Sequence, residues 1–292
     1  MKATFKFVFL LSLFLSILFS FTGCARKAPC LQCAQGDAAN KEAQWKALNY
    51  KVVELIQKGQ YRDATKQAKE AVQVAEKTLG KEHPFTATSL NNLGELYRIQ
   101  KQYREAESNY KKSLAIREKV LGKDHPDVSL SLNNLATLYL LQNNYTKAEH
   151  LYKQAIKIVE DKLGKENATL ETPLTNLAEM YKKQGKYFEA ELILKRILTI
   201  NEKTRGKEHP LYAKTQNDLA AVYFLEGKYK EAEPLFKSTL SILEKQLGKN
   251  HPELAVVLEN IAEVYKKTGD ENKAKTFTKR AHAIRASATV KS

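Results

Sequence analysis

The thiols, imidazoles and amides of this sequence are the groups whose type and spacing could do chemistry. Cys30 and Cys33 stand in C-x-x-C spacing, which suits a small disulfide, a metal half-site or a redox pair. No His follows Cys33, and no second Cys pair or nearby His completes a zinc site. The pair therefore reads as an incidental disulfide or two free thiols, with thiol–disulfide exchange as the alternative. His83, His125, His209 and His251 all occur in His-Pro pairs, where Pro opens a helix at no hydrogen-bonding cost and His lies in the preceding turn. Asn92, Asn134, Asn176, Asp218 and Asn260 recur at intervals of 42. An amide donates and accepts, so this column can pair an extended backbone or bond its own neighbours; Asp218 interrupts it, because a carboxylate cannot donate. No Walker loop, G-x-G-x-x-G, G-x-S-x-G or H-E-x-x-H motif occurs, so the reading is of a protein that is not an enzyme, with no catalytic residue, no metal and no cofactor.

The same interval of 42 governs the elements that position these groups. Gly80, Gly122, Gly164, Gly206 and Gly248 follow it, as do Tyr97, Tyr139, Tyr181, Tyr223 and Tyr265 and the column Ala106, Ala148, Ala190, Ala232 and Ala274. Leu90, Leu93, Gly94 and Tyr97 stand at i, i+3, i+4 and i+7, one helical face, and Tyr103, Ala106, Tyr110, Ser113, Leu114 and Arg117 mark a second helix. Turns such as Gln184-Gly185-Lys186 separate the two helices, with Gly free to turn left-handed after a helix end. The unit is a helical hairpin, and about six of them fill residues 43–287, the Asn167-Ala168 turn being looser for want of His-Pro. Small Ala lets paired helices approach, Tyr fills the gaps, and stacking buries what one hairpin cannot bury alone. Trp45 and Leu55 make the first hairpin atypical, and Glu271, Thr278 and His282 put a polar outer face on the last. Stacked layers stand roughly 10 Å apart, which keeps the His-Pro imidazoles from converging on a metal. Seven Pro and twelve Gly in 292 residues are too few for a protein of many short strands and tight turns, so the fold class is all-α.

The N-terminus is of a different kind. Lys2 and Lys6 precede an apolar run from Phe7 to Phe21. As a helix that run would span roughly 23 Å, short of the roughly 30 Å hydrocarbon core, and it suits the apolar region of a secretory signal. Phe21-Thr22-Gly23-Cys24 resembles the lipobox of bacterial lipoproteins, with Phe21 where Leu is usual. The resemblance implies that residues 1–23 are removed, that Cys24 is acylated on its thiol and new amine, and that 24–42 is an acylated N-terminus and polar tether. It implies a lipid-anchored protein of the bacterial envelope; Ala25 after the Cys favours the outer membrane, facing the periplasm. The net charge of +15 includes Lys2 and Lys6, leaving +13 on the mature chain. Export and the lack of any nucleic-acid motif exclude nucleic acid as partner.

Leu93-Gly94, Tyr97, Ala106 and Tyr110 resemble the Leu-Gly, Tyr, Ala and Phe places of the tetratricopeptide repeat. The period of 42, Leu-Gly-Lys-Glu-His-Pro at 79–84 and Asn-Asn-Leu-Ala at 133–136 resemble its kinesin-light-chain type. The resemblance implies a right-handed solenoid over 43–287, with a short tail at 288–292, whose first helices line a concave groove for an extended peptide. Carried onto this sequence, the groove residues are Asn91, Asn92 and Arg98; Asn133, Asn134 and Leu141; Asn176, Lys182 and Lys183; Asn217, Asp218 and Phe224; and Asn260, Lys266 and Lys267. Basic and apolar residues alternate from layer to layer, which fits a protein or peptide partner with acidic residues around apolar anchors. Binding of anionic lipid or envelope polymer through the basic charge is the alternative. On the groove reading, Asn134→Ala with Lys182→Glu weakens capture and leaves the melting temperature unchanged.

Overall fold

The computed structural model describes the backbone of residues 32–289 and the side chains of 40–287. The signal-like segment, Cys24 and Cys30 lie outside the described residues, and Cys33 falls on the backbone of the first helix. Twelve α-helices and one short 3-10 turn make up the described chain, without strands. They pair in order as α1 (Gln32–Gln57) with α2 (Tyr61–Thr78), α3 (Pro84–Ile99) with α4 (Tyr103–Leu121), and α5 (Pro126–Leu141) with α6 (Tyr145–Leu163). The second half repeats this with α7 (Glu171–Lys183) and α8 (Tyr187–Arg205), α9 (Pro210–Leu225) and α10 (Tyr229–Leu247), and α11 (Leu254–Thr268) and α12 (Glu271–Thr289). Each hairpin packs on the next, giving the tetratricopeptide-type solenoid of six hairpins. Helix α1 reaches back to Gln32, into the stretch read from sequence as a tether, because Ala, Gln, Lys and Glu form helix readily however polar the segment.

Local chemistry sets the ends of these helices. In three of the four His-Pro pairs the His is the N-cap: the Nδ1 of His83, His125 and His209 accepts the backbone N–H two residues on at 3.1 Å, whereas His251 makes the same bond at 3.4 Å in the turn before α11, whose N-cap is Glu253. Asn167 makes the same bond to Thr169 at 2.9 Å, although the first turn there is the 3-10 segment Ala168–Leu170. That turn is thus capped like the others, and what changes is a shorter α7. Between hairpins, Gly122 has φ 87° and ψ 153°, a region open essentially to Gly alone, which explains the Gly column. Within hairpins the left-handed position is less exclusive: Lys101 and Asn143 hold it where Gly185 and Gly227 do elsewhere.

Packing follows the columns. Ala106, Ala148, Ala190, Ala232 and Ala274 are all buried, and Tyr110, Tyr152 and Phe236 lie fully inside. Between hairpins, Tyr139, Tyr181, Tyr223 and Tyr265 each send a hydroxyl to a Glu on the second helix of the preceding hairpin: Glu107, Glu149, Glu191 and Glu233, at 2.7–3.0 Å. Each of those Glu residues also pairs with a Lys one turn on, Lys111, Lys153, Lys195 or Lys237, at 2.6–2.7 Å. The first junction lacks this lock, since Thr65 stands in the Glu column; there Lys69 lies over the Tyr97 ring at 5.8 Å. Trp45 ties the first hairpin instead, donating to Ser89 Oγ at 2.7 Å and stacking on Phe85 at 4.2 Å. At the far end, Lys275 occupies the Glu column, and Glu259 is held by Arg285 at 2.7 and 2.8 Å.

Candidate peptide-binding groove

Successive first helices touch one another, α3 with α5, α5 with α7 and α9 with α11, while second helices do not reach each other to that extent among the described residues. The first helices therefore crowd on the inner, concave side. Their contact is bridged by amides. Asn92 Nδ2 donates to Asn49 Oδ1 at 3.2 Å, Asn134 to Asn91 at 2.9 Å, Asn176 to Asn133 at 3.0 Å and Asn260 to Asn217 at 3.3 Å. The column is a double one, in which residues 49, 91, 133 and 217 accept and their successors in the next layer donate. Each bond uses one N–H and one oxygen lone pair, so part of the amide capacity stays unspent on the groove floor.

Asp218, with Thr175 rather than Asn in the acceptor place one layer back, makes no such bridge among the described residues. Burial pushes its carboxyl up, Lys182 and Lys214 pull it back down, and Glu179 adds to the rise. The cations split into two sets. Arg98 pairs with Glu95, its Nε donating at 2.8 Å, and Lys182 pairs with Glu179 three residues before it. Lys266 pairs with Glu263 at 2.6 Å. Burial alone would lower the Arg98 pKa, but the Glu95 carboxylate outweighs it and raises it. Glu95 also accepts the hydroxyl of buried Tyr110 at 2.7 Å; burial first and Glu95 second push that phenol well up. One layer on, Thr137 and Tyr152 form the equivalent contact at 3.0 Å. Three of the charges legible as a basic lining are thus already paired within their own helices, Arg98 and Lys182 in the wall and Lys266 at the surface. Asn134→Ala with Lys182→Glu, expected from sequence to spare stability, removes a bridge and sets a carboxylate against Glu179 and Asp218.

Phe224 also moves out of the lining, being buried and edge-on to Tyr229 at 5.2 Å. Asn133 and Asn260 are buried, while Asn91, Asn92, Asn134, Asn176 and Asn217 are half-buried. What remains open is one column at the ends of the first helices. Leu141 and Leu225 are 38% and 40% exposed, and Lys183 and Lys267 are exposed and make no ion pair among the described residues. Ile99 precedes them half-buried. The repeat pattern also places Glu95, Glu179 and Glu263 on this face; what sequence reasoning missed is that each neutralises the cation three residues on, a pairing visible as E-x-x-R or E-x-x-K. On the outer face, Phe188 and Leu192 of α8 are also exposed. No group of three or more metal-ligating side chains gathers among the described residues, and no helix there is long and apolar enough to cross a membrane.

A stack of helical hairpins with an inner groove defines an α-solenoid of the kind that binds other polypeptides. The tetratricopeptide repeat profile matches residues 46–119, 92–161, 169–245 and 213–287, and the chain belongs to that family. No curated protein matches the sequence significantly. Among solved structures, it is similar to the kinesin-light-chain tetratricopeptide-like repeats of Podosopora anserina, at 28% identity and TM-score 0.63, over 71% of this chain and 98% of that one. It is similar to BtubC (BKLC) of P. vanneervenii at 24% identity and TM-score 0.65, covering 85% and 92%. PilF of Pseudomonas aeruginosa shares the fold at 17% identity and TM-score 0.56, covering 82% and 90%. Repeats of this family generally mediate protein–protein interaction.

Proposed function

We propose that this protein is a non-catalytic adaptor, tethered to a bacterial envelope membrane through acyl chains on Cys24, that holds a protein partner in its concave groove. The observation that carries the groove reading is the open column Leu141, Lys183, Leu225 and Lys267, on a face whose other polar groups bond mostly to one another. A large apolar side chain left in water beside an unpaired cation gains from a partner that covers the first and neutralises the second. The tether rests on the lipobox-like Phe21-Thr22-Gly23-Cys24. More than one acyl chain is what stable anchoring takes, since a single chain gives only marginal binding.

The test places a photo-cross-linking residue at Leu141 in one strain and at outer-face Phe188 in another, then irradiates intact envelopes. A discrete adduct from the groove position and none from the outer one supports the adaptor. Adducts from neither, or the same from both, refute it. Replacing Cys24 with Ser is expected to release the chain from the membrane fraction, and retention would refute the tether. Exchanging Cys30 and Cys33 for Ser is expected to leave capture unchanged; its loss would favour a thiol–disulfide role.

A further inference from the structure

We infer that the groove reads the spacing of its ligand: the partner segment is extended and carries apolar and acidic side chains alternately at every third residue. The inference rests on the groove reading and deepens it. Leu141, Lys183, Leu225 and Lys267 occupy one position in four successive layers, so their side chains form a single file along the groove. Both lysines lack an ion pair among the described residues and both leucines are exposed, unlike Lys182 and Lys266 beside them, which their own helices neutralise. The complementary ligand therefore presents apolar, acidic, apolar and acidic groups in turn.

The amide bridges hold the first helices in direct contact, so each layer advances the groove by roughly 10 Å, one helix-packing distance. An extended chain rises roughly 3.3 Å per residue, which puts about three ligand residues on each layer. Like groups then recur every sixth residue, with the other kind midway. A helical ligand, rising roughly 1.5 Å per residue, would need about seven residues per layer and a face that turns with the groove. The amides left partly unspent along the floor offer donors and acceptors to an extended backbone and none that a helix, bonded internally, would use.

The probe is a fluorescent ten-residue peptide with Leu at its first and seventh positions, Glu at its fourth and tenth, and Ser elsewhere. Its control has the same composition with each Glu moved next to a Leu. Binding to the full chain in detergent is followed by anisotropy. The spaced peptide is expected to bind at least fivefold tighter than the control, with Lys183→Ala and Lys267→Ala each weakening it two- to fivefold, the range for an exposed ion pair. Leu141→Ser with Leu225→Ser is expected to abolish the preference, while Phe188→Ser with Leu192→Ser leaves it intact; thermal melts confirm that each variant is folded. Equal affinity for the two peptides, lost in the groove variants, overturns the spacing and leaves the groove reading standing. Binding that depends on the outer-face pair, or no binding of either peptide at millimolar concentration, overturns the spacing as well, and the first of these also overturns the groove.

Discussion

The lock between hairpins can be broken at one atom. Tyr181 is 6% exposed, and its hydroxyl donates to Glu149 Oε1 at 2.9 Å across the junction of the third and fourth hairpins. Tyr181→Phe keeps the ring and its buried area and removes only that bond. A hydrogen bond to a charged acceptor contributes roughly 1.5–3 kcal/mol. Glu149 keeps Lys153 at 2.6 Å and a side chain 26% exposed, so water and the ammonium compensate in part and the cost falls to about 1.5 kcal/mol. For a chain of this size that lowers Tm by about 3–6 °C. The Glu149 carboxyl is held below its ordinary 4.5, chiefly by Lys153, with Tyr181 helping and burial opposing. A carboxyl with a lowered folded pKa contributes stability that is complete above its unfolded value and lost as pH falls through the folded one. The gap between wild type and variant is therefore expected to be full at pH 7 and to shrink in acid. Urea and thermal melts of wild type, Tyr181→Phe, Glu149→Gln and the double variant supply the coupling energy. Zero coupling, with Tyr181→Phe as stable as wild type at pH 7, would show that the bond contributes nothing and that stacking rests on apolar contact alone.

Gly94 lies against Tyr110, and an added Cβ would come within 2.8 Å of that ring. Gly94→Ala is therefore expected to lose about 1 kcal/mol in urea melts, overpacking outweighing the helix-propensity gain, and Tyr110→Leu should relieve it. His125→Ala should cost about 1 kcal/mol as a lost cap, while His125→Asn should cost little, since Asn167 already performs that role; equal losses would contradict the capping assignment. At His83, burial lowers the pKa below its ordinary 6.5 while Glu42 opposes. Its contribution is complete above pH 6.5 and declines as pH falls below it, so His83→Asn should flatten the dependence of Tm on pH in that window. Asn134→Ala with Lys182→Glu is expected to lower Tm measurably; an unchanged Tm would return both residues to the role the sequence implied.

The repeat was legible because stacking imposes identical demands on every layer. Gly122 and its counterparts must turn where other residues cannot, and the Ala column must stay small. Such demands write themselves as columns at one interval, which gives the number of repeats, and the i, i+3, i+4, i+7 spacing within each column set makes the unit a helical hairpin. The groove was legible only in outline. That Asn134 and Asn176 lie at first-helix contacts follows from the columns, but not that each donates to an Asn one layer back. The E-x-x-K spacing of Glu179 and Lys182 was in plain view, yet the same spacing on a solvated helix would leave the cation open to a ligand.

Local periodicity depends on nearest neighbours along the chain, and for hairpin, turn and cap that is sufficient. Whether a polar side chain is spent or available depends on groups some 42 residues away, brought within 3 Å by packing. Tertiary structure alone therefore separated Lys183 from Lys182 and Leu225 from Phe224, neighbours in sequence with opposite fates, because one residue of rotation on a helix turns a side chain from the packed wall to the open groove.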